Sequence, residues 1–326
     1  MSIAITGVGI LTPAGQTLAE NVARLQTWTK AMPDASGQRD GFAPVAEFTL
    51  EPRLRYPKNV KFMSRSVQLG MMAALDALEG SGMRVVGAPT GRIAVHTGCG
   101  ETGMENEEFF GAYSLAWQGR ETDFKYLNAR AAKMVDPYFS LRTLTNAGSG
   151  LIAMELGLNG PSCHFVHGET CGAMALEGAC YDLLDDRCDV ALCGVYDHLG
   201  TKATRIAYGG MGLARPKGEL LLSESAAFLV LERTEEARSR GARVLGEVLG
   251  VDVRSGMEAA SCEQGEFEVR PGAYRCVTGY LGAATALAEL AIGLERADVG
   301  QVGVFRSQSW CGFTAAITAR VGLPVV

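Results

Sequence analysis

No histidine follows position 198 in this 326-residue chain; the four present are His96, His164, His167 and His198. There is no Cys-x-x-Cys pair. No apolar run approaches the roughly 20 residues that a membrane-spanning helix needs. Cations are also in short supply: 30 Lys and Arg face 36 Asp and Glu, a formal net charge of -6. Nucleic-acid binders carry a basic excess, so that class is excluded as an expectation, and any anionic partner must meet a local basic patch. The opening Thr6-Gly7-Val8-Gly9 lacks the third glycine of a dinucleotide loop, and the spacing predicts a tight structural turn instead. Nine cysteines, an odd number set mostly in apolar runs, suit reduced and packed thiols in a soluble, cytoplasmic protein. The first 15 residues lack the basic start of a signal peptide.

What is present is an α/β pattern. Hydrophobic residues make up 47% of the chain, enough to bury a large core, and 41 glycines rule out a long helical rod. Short buried strands are expected at 3–5, 92–96, 163–166, 189–193, 226–231, 244–253 and 302–305. Helical periodicity marks 65–78, 146–156, 173–184 and 281–294, a charged helix follows 233, and a last short element is expected at 312–319. Residues 101–140 read as an excursion with helices of its own, and 254–273 as the least regular part.

The most informative stretch is NGPSCHFVHGETCGAMALEGACYDLL, 159–184. An apolar strand runs into a sharp turn at Gly168-Glu169, and a helix rich in small residues follows. That arrangement puts Glu169 at a helix N-terminus, where backbone N–H groups stabilise an anion or activate a nucleophile. Simple capping by the carboxylate is the plainer alternative. Cys163, His164 and His167 lie close by, but side chains 164 and 167 leave a strand on opposite faces, so no metal site is expected.

The chain resembles the β-ketoacyl synthase family of the thiolase superfamily. The resemblance rests on AITGVGILTPAG, KFMSRSVQLGMMAALDAL, GRIAVHTGCG, residues 137–161, DVALCGVYD, SESAAFLVLER, VTGYLGAATALAEL and RSQSWCGFTAAI, in order along the chain. It implies an α/β, thiolase-like fold layered α-β-α-β-α, with two pseudo-equivalent halves in one body. Residues 1–235 would form the N-terminal half and 236–326 a shortened C-terminal half. No cofactor is implied.

The departures from the family are chemical. A condensing ketosynthase carries Cys within Ala-Cys-Ala-x-Gly at the elbow; alignment on Gly172-Ala173 puts Glu169 there, and a carboxylate cannot form the thioester. Cys171 is two residues on and points about 200° away round a helix. The family histidine of Thr-Gly-His is Tyr280, and the lysine before it is Arg275. A second histidine is expected between 250 and 275, and that stretch has none. Trp310 stands where a gating Phe would be.

A ketosynthase-like body without its catalytic set resembles a chain-length factor. Such a subunit pairs with an active ketosynthase and lines the tunnel in which the acyl chain grows. The resemblance assigns Phe139, Asn146, Glu169, Met174, Tyr280 and Trp310 to the tunnel, and Ser162, Cys163, His164, Phe165 and Val166 to the partner interface. Acyl carrier proteins are acidic, so docking is expected at the basic cluster Arg53, Arg55, Lys58, Lys61 and Arg65. A second basic group comprises Arg120, Lys125, Arg130 and Lys133. Two alternatives stay open: a stand-alone malonyl decarboxylase or acyl-handling enzyme using Glu169 beside Asn146, and a homodimeric scaffold without chemistry.

Overall fold

The computed structural model describes residues 2–27, 42–83, 90–100, 107–119, 121–130, 133, 135–211, 221–256 and 265–322. The strands are β1 (Ile3–Leu11), β2 (Phe42–Ala43), β3 (Ile93–Cys99), β4 (Trp117–Gln118), β5 (Glu121–Thr122), β6 (Ser162–Phe165), β7 (Val190–His198), β8 (Leu222–Arg233), β9 (Gly246–Ser255), β10 (Phe267–Val269), β11 (Val302–Gln308) and β12 (Phe313–Val321). The helices up to the elbow are α1 (Leu18–Thr27), α2 (Arg65–Gly80), α3 (Glu107–Ala116), α4 (Phe124–Ala129), α5 (Phe139–Thr143) and α6 (Ala147–Leu156). After it come α7 (Cys171–Leu184), α8 (Lys202–Gly210), α9 (Thr234–Ser239), α10 (Arg275–Thr278) and α11 (Thr285–Arg296).

One mixed sheet runs in the order β10-β11-β12-β9-β1-β8-β7-β3-β6, with β2 added beside β8. Its central strands are buried on both faces, which is why their sequences read as continuous apolar runs and not as alternation. Along β7, Ala191, Cys193 and Val195 face one core with α7 and α11, while Val190, Leu192 and Tyr196 face a second core with α2 and α6. Residues Val248, Ile317 and Phe305 of the C-terminal strands also pack into the first core, so α7 and α11 are enclosed by both ends of the sheet. The two halves share a topology: α7-β7-β8 returns to β1, and α11-β11-β12 returns to β9, with antiparallel pairing throughout.

The glycines at 7 and 9 do not make the turn expected for them. β1 continues through both, with a register shift between Ile5 and Gly7. A β-carbon at either position would overlap the carbonyl oxygens of Ala77 and Ala73 in α2, so these glycines serve close helix–strand approach. Ser64 begins α2 by accepting a hydrogen bond from the Val67 amide.

Candidate functional site

β6 leads into a single turn, Gly168–Thr170, from which α7 departs. Gly168 has φ +57°, a left-handed conformation that suits glycine. A β-carbon there would stand 3.2 Å from both Ser309 Oγ and Trp310 Nε1, so the 309–312 turn is seated directly against the elbow. Glu169 follows and is only 8% exposed.

The hydroxyl of Tyr280 donates to Glu169 Oε1, joining residues 111 positions apart. Glu169 Oε2 is buried with no well-formed hydrogen bond. Burial pushes the Glu169 carboxyl above its ordinary range, against smaller pulls from Tyr280, the amides of Glu169 and Trp310, and Arg275. Burial likewise drives the Tyr280 phenol far up, with the Glu169 carboxylate adding to it, so Tyr280 stays an O–H donor. The backbone of residue 280 is pinned to the start of β8: its N–H donates to Leu221 O at 2.7 Å and its carbonyl accepts from Ser223 Oγ at 2.7 Å. The Arg275 guanidinium lies over the Tyr280 ring, 4.9 Å from its centroid, and Tyr208 meets the same ring edge-on at 5.6 Å.

Two buried acids nearby were not legible as site residues. Glu289 on α11 is 3% exposed, and burial pushes its carboxyl up to about 8 despite Arg275 and the amides of Gly272, Ala273 and Tyr274. The only sequence signal was an acid inside the apolar run TALAELAIGL. Asp197, at the end of β7, is 1% exposed and accepts from the Ala283 amide at 2.9 Å and the His198 amide at 3.0 Å. Burial raises it to about 6.

Cys171 is fully buried beside Ala283 O, and burial pushes its thiol well above the ordinary value, so it is no thiolate. His164 is hydrogen-bonded at Nδ1 to Thr97 Oγ1 (2.7 Å) and at Nε2 to Cys99 Sγ (3.4 Å). Burial lowers its pKa to about 4, which leaves it neutral at physiological pH. Among the described residues no group of three or more His, Cys, Asp or Glu side chains is placed to hold a metal.

The structure therefore brings Glu169, Tyr280, Arg275 and Trp310 together; Met174 is buried on α7. Phe139, half-buried in α5, and Asn146, exposed just before α6, stand on the segment that leads to β6, whereas the elbow turn packs on α11, β11 and β12. β6 is the last strand of its sheet; Ser162 and Cys163 are exposed, and His164, Phe165 and Val166 are half-buried. Of the basic cluster, Arg53 pairs with Asp76 (2.5 Å) and Glu79 (2.9 Å), and Arg65 with Glu224 (2.6 Å). Arg55, Lys58 and Lys61 remain exposed, with Lys61 Nζ 4.8 Å from the Tyr138 ring centroid. Lys125, Arg130 and Lys133 are exposed; Arg120 and residues 257–264 lie outside the described set. No described helix is long and apolar enough to cross a membrane.

Comparison with known proteins gives the family and the fold. The chain is 30% identical over 283 residues to a putative polyketide beta-ketoacyl synthase 1 of Streptomyces virginiae, covering 78% of this chain and 63% of that protein's length. Its fold matches the ishigamide ketosynthase/chain length factor with a TM-score of 0.75 at 20% identity, covering 98% of this chain and 99% of that one. A type II polyketide synthase ketosynthase in complex with its acyl carrier protein, AntDE with AntF, matches at a TM-score of 0.77 and 16% identity, with the same coverage. The family model for the N-terminal domain of beta-ketoacyl synthase matches residues 1–237. With this match over most of its length and a thiolase-like ketosynthase fold, the chain belongs to the β-ketoacyl synthase family.

Proposed function

We propose that this chain is a non-condensing, chain-length-factor-like subunit. It pairs with an active β-ketoacyl-carrier-protein synthase and helps to shape the space in which the acyl chain grows. In this reading residues 1–235 are its ketosynthase-like N-terminal half and 236–326 a shortened C-terminal one. The observation that carries it is the Glu169–Tyr280 pair at the elbow. Condensation needs a sulfur nucleophile and a base that cycles a proton. Here the elbow offers a buried carboxyl already engaged by a phenol, and the adjacent thiol of Cys171 is neutral. Two solved neighbours, a ketosynthase/chain length factor and a ketosynthase with its carrier protein, support these partner classes.

Co-expression with a ketosynthase from the same setting is the test. A stable one-to-one complex by native mass, with no condensing activity in the chain alone, is the expected result. A well-behaved homodimer that ignores the partner overturns it and leaves the scaffold reading. The buried, unpartnered Glu169 Oε2 favours one second reading, a malonyl-carrier decarboxylase, which requires that Glu169→Ala abolish carbon dioxide release.

Carrier docking falls to the cations left exposed. Reversing charge at Arg55 and Lys61 is expected to weaken carrier binding about tenfold at low salt and to flatten its salt dependence. An unchanged low-salt affinity rejects this patch.

A further inference from the structure

A cleft of about 130 Å³ lies away from the elbow, between α7 and the start of the C-terminal strands. One wall is a helical stripe, Glu177, Cys180, Tyr181 and Leu184, at the spacing that lines one face of α7. Ile3 and Val248 form the apolar floor, and Leu249 to Val251 the opposite wall. Two features of the fold open it. β9 pairs with β1 only over Gly246–Val248, so beyond Val248 its edge on that side has no described strand beside it. In addition, β9 is bulged: Thr318 faces Gly250 and Ala319 faces Val248, which leaves Leu249 out of register at the cleft.

The described elements around the cleft differ between the two halves. In the N-terminal half, the helix following the corresponding strand β1, α1, packs on α11. The next described element after β9 is the strand β10, with residues 257–264 outside the described set, and α7 keeps Tyr181 59% and Leu184 44% exposed.

The chemistry of the walls defines an occupant. An apolar cavity of about 150 Å³ binds a single benzene ring, so this cleft has room for one ring or a short branched alkyl group. Glu177 lines it with no hydrogen-bond or ion-pair partner among the described residues, whereas its neighbour Asp252 is already paired with Arg254 at 2.8 Å. An unpaired carboxylate at the wall of an apolar cleft, with a second acid close by, favours an organic cation over an anion or a neutral molecule. We propose that this cleft is a binding site for a small apolar ammonium ion, its hydrocarbon part against Tyr181, Leu184 and Leu249 and its charge on Glu177.

Phenethylammonium and its neutral isostere 2-phenylethanol are the probes, titrated into the full chain and followed by amide chemical shifts. The amine is expected to bind about tenfold more tightly than the alcohol and to shift residues of α7 and β9. Glu177→Gln should remove that preference while leaving alcohol binding unchanged. Leu184→Phe, which fills the cleft from an exposed position, should abolish both. Equal binding of the two probes, no binding at about 10 mM amine, or shifts confined to residues outside the cleft overturns the proposal.

Discussion

Proline at position 164 is expected to abolish assembly with a ketosynthase partner while the chain still folds. In the parallel ladder between β3 and β6, Val95 N–H bonds Pro161 O, so residues 161, 163 and 165 turn their backbone groups toward β3. Ser162 and His164 consequently present theirs to the open edge, where a second chain would add its strand. A proline there removes an outward donor and spares the ladder within the chain. His164→Pro also deletes the contacts to Thr97 and Cys99, so Ser162→Pro, at an exposed residue, is the cleaner companion. Both should raise the dissociation constant at least about a hundredfold. Ser162→Pro alone should leave the Tm of the lone chain within a few degrees of the parent. Alkylation gives an independent readout. Cys163 and Cys276 are both exposed and should react in the lone chain, with Cys163 alone protected in the complex. Normal assembly of the proline variants, or a Cys163 that reacts equally in both states, sinks the edge-strand interface.

Stability is expected to fall as pH rises from 6.5 to 8, by up to about 2 kcal/mol, and Glu289→Gln should flatten the slope. The direction follows from proton counting. Glu289 holds its proton in the folded chain up to about 8, whereas the unfolded chain releases it near the ordinary carboxyl value of 4.5. Folding must take up a proton between those values, so the folded state loses ground as pH rises through that window. Asp197, raised to about 6, acts in the same sense but is spent by pH 6.5. His164 has the opposite sign: held neutral down to about 4, it costs stability as pH falls from 6.5 toward 4. Above pH 6.5 Glu289 is left to dominate, and urea midpoints at pH 6.5 and 8 isolate it. A variant that keeps the parental slope would show that another group carries the effect.

Much of the frame was legible in the chain itself. The strands at β3, β6, β7 and β8 and the helices α2, α6, α7 and α11 fall where apolar period and small-residue runs put them, with ends that differ by up to five residues. Gly7 and Gly9 misled because glycine marks a turn in isolation, while here it admits α2 against the sheet. The ion pairs of Arg53 and Arg65 were not legible, since proximity in sequence says nothing of the acids that they meet across the fold.

The sequence by itself determined the family and the place of Glu169 at a strand–turn–helix elbow, because each is a matter of which residue type occupies which place in an ordered series of motifs. Only the tertiary structure decided that Glu169 is engaged by Tyr280 under Arg275, that the Cys171 thiol is buried, and that burial pushes the Glu289 carboxyl up to about 8. Those outcomes depend on burial and on partners far apart in sequence. A carboxyl's protonation and a thiol's reactivity are set by the dielectric and hydrogen bonds that such partners create, which a linear pattern does not contain.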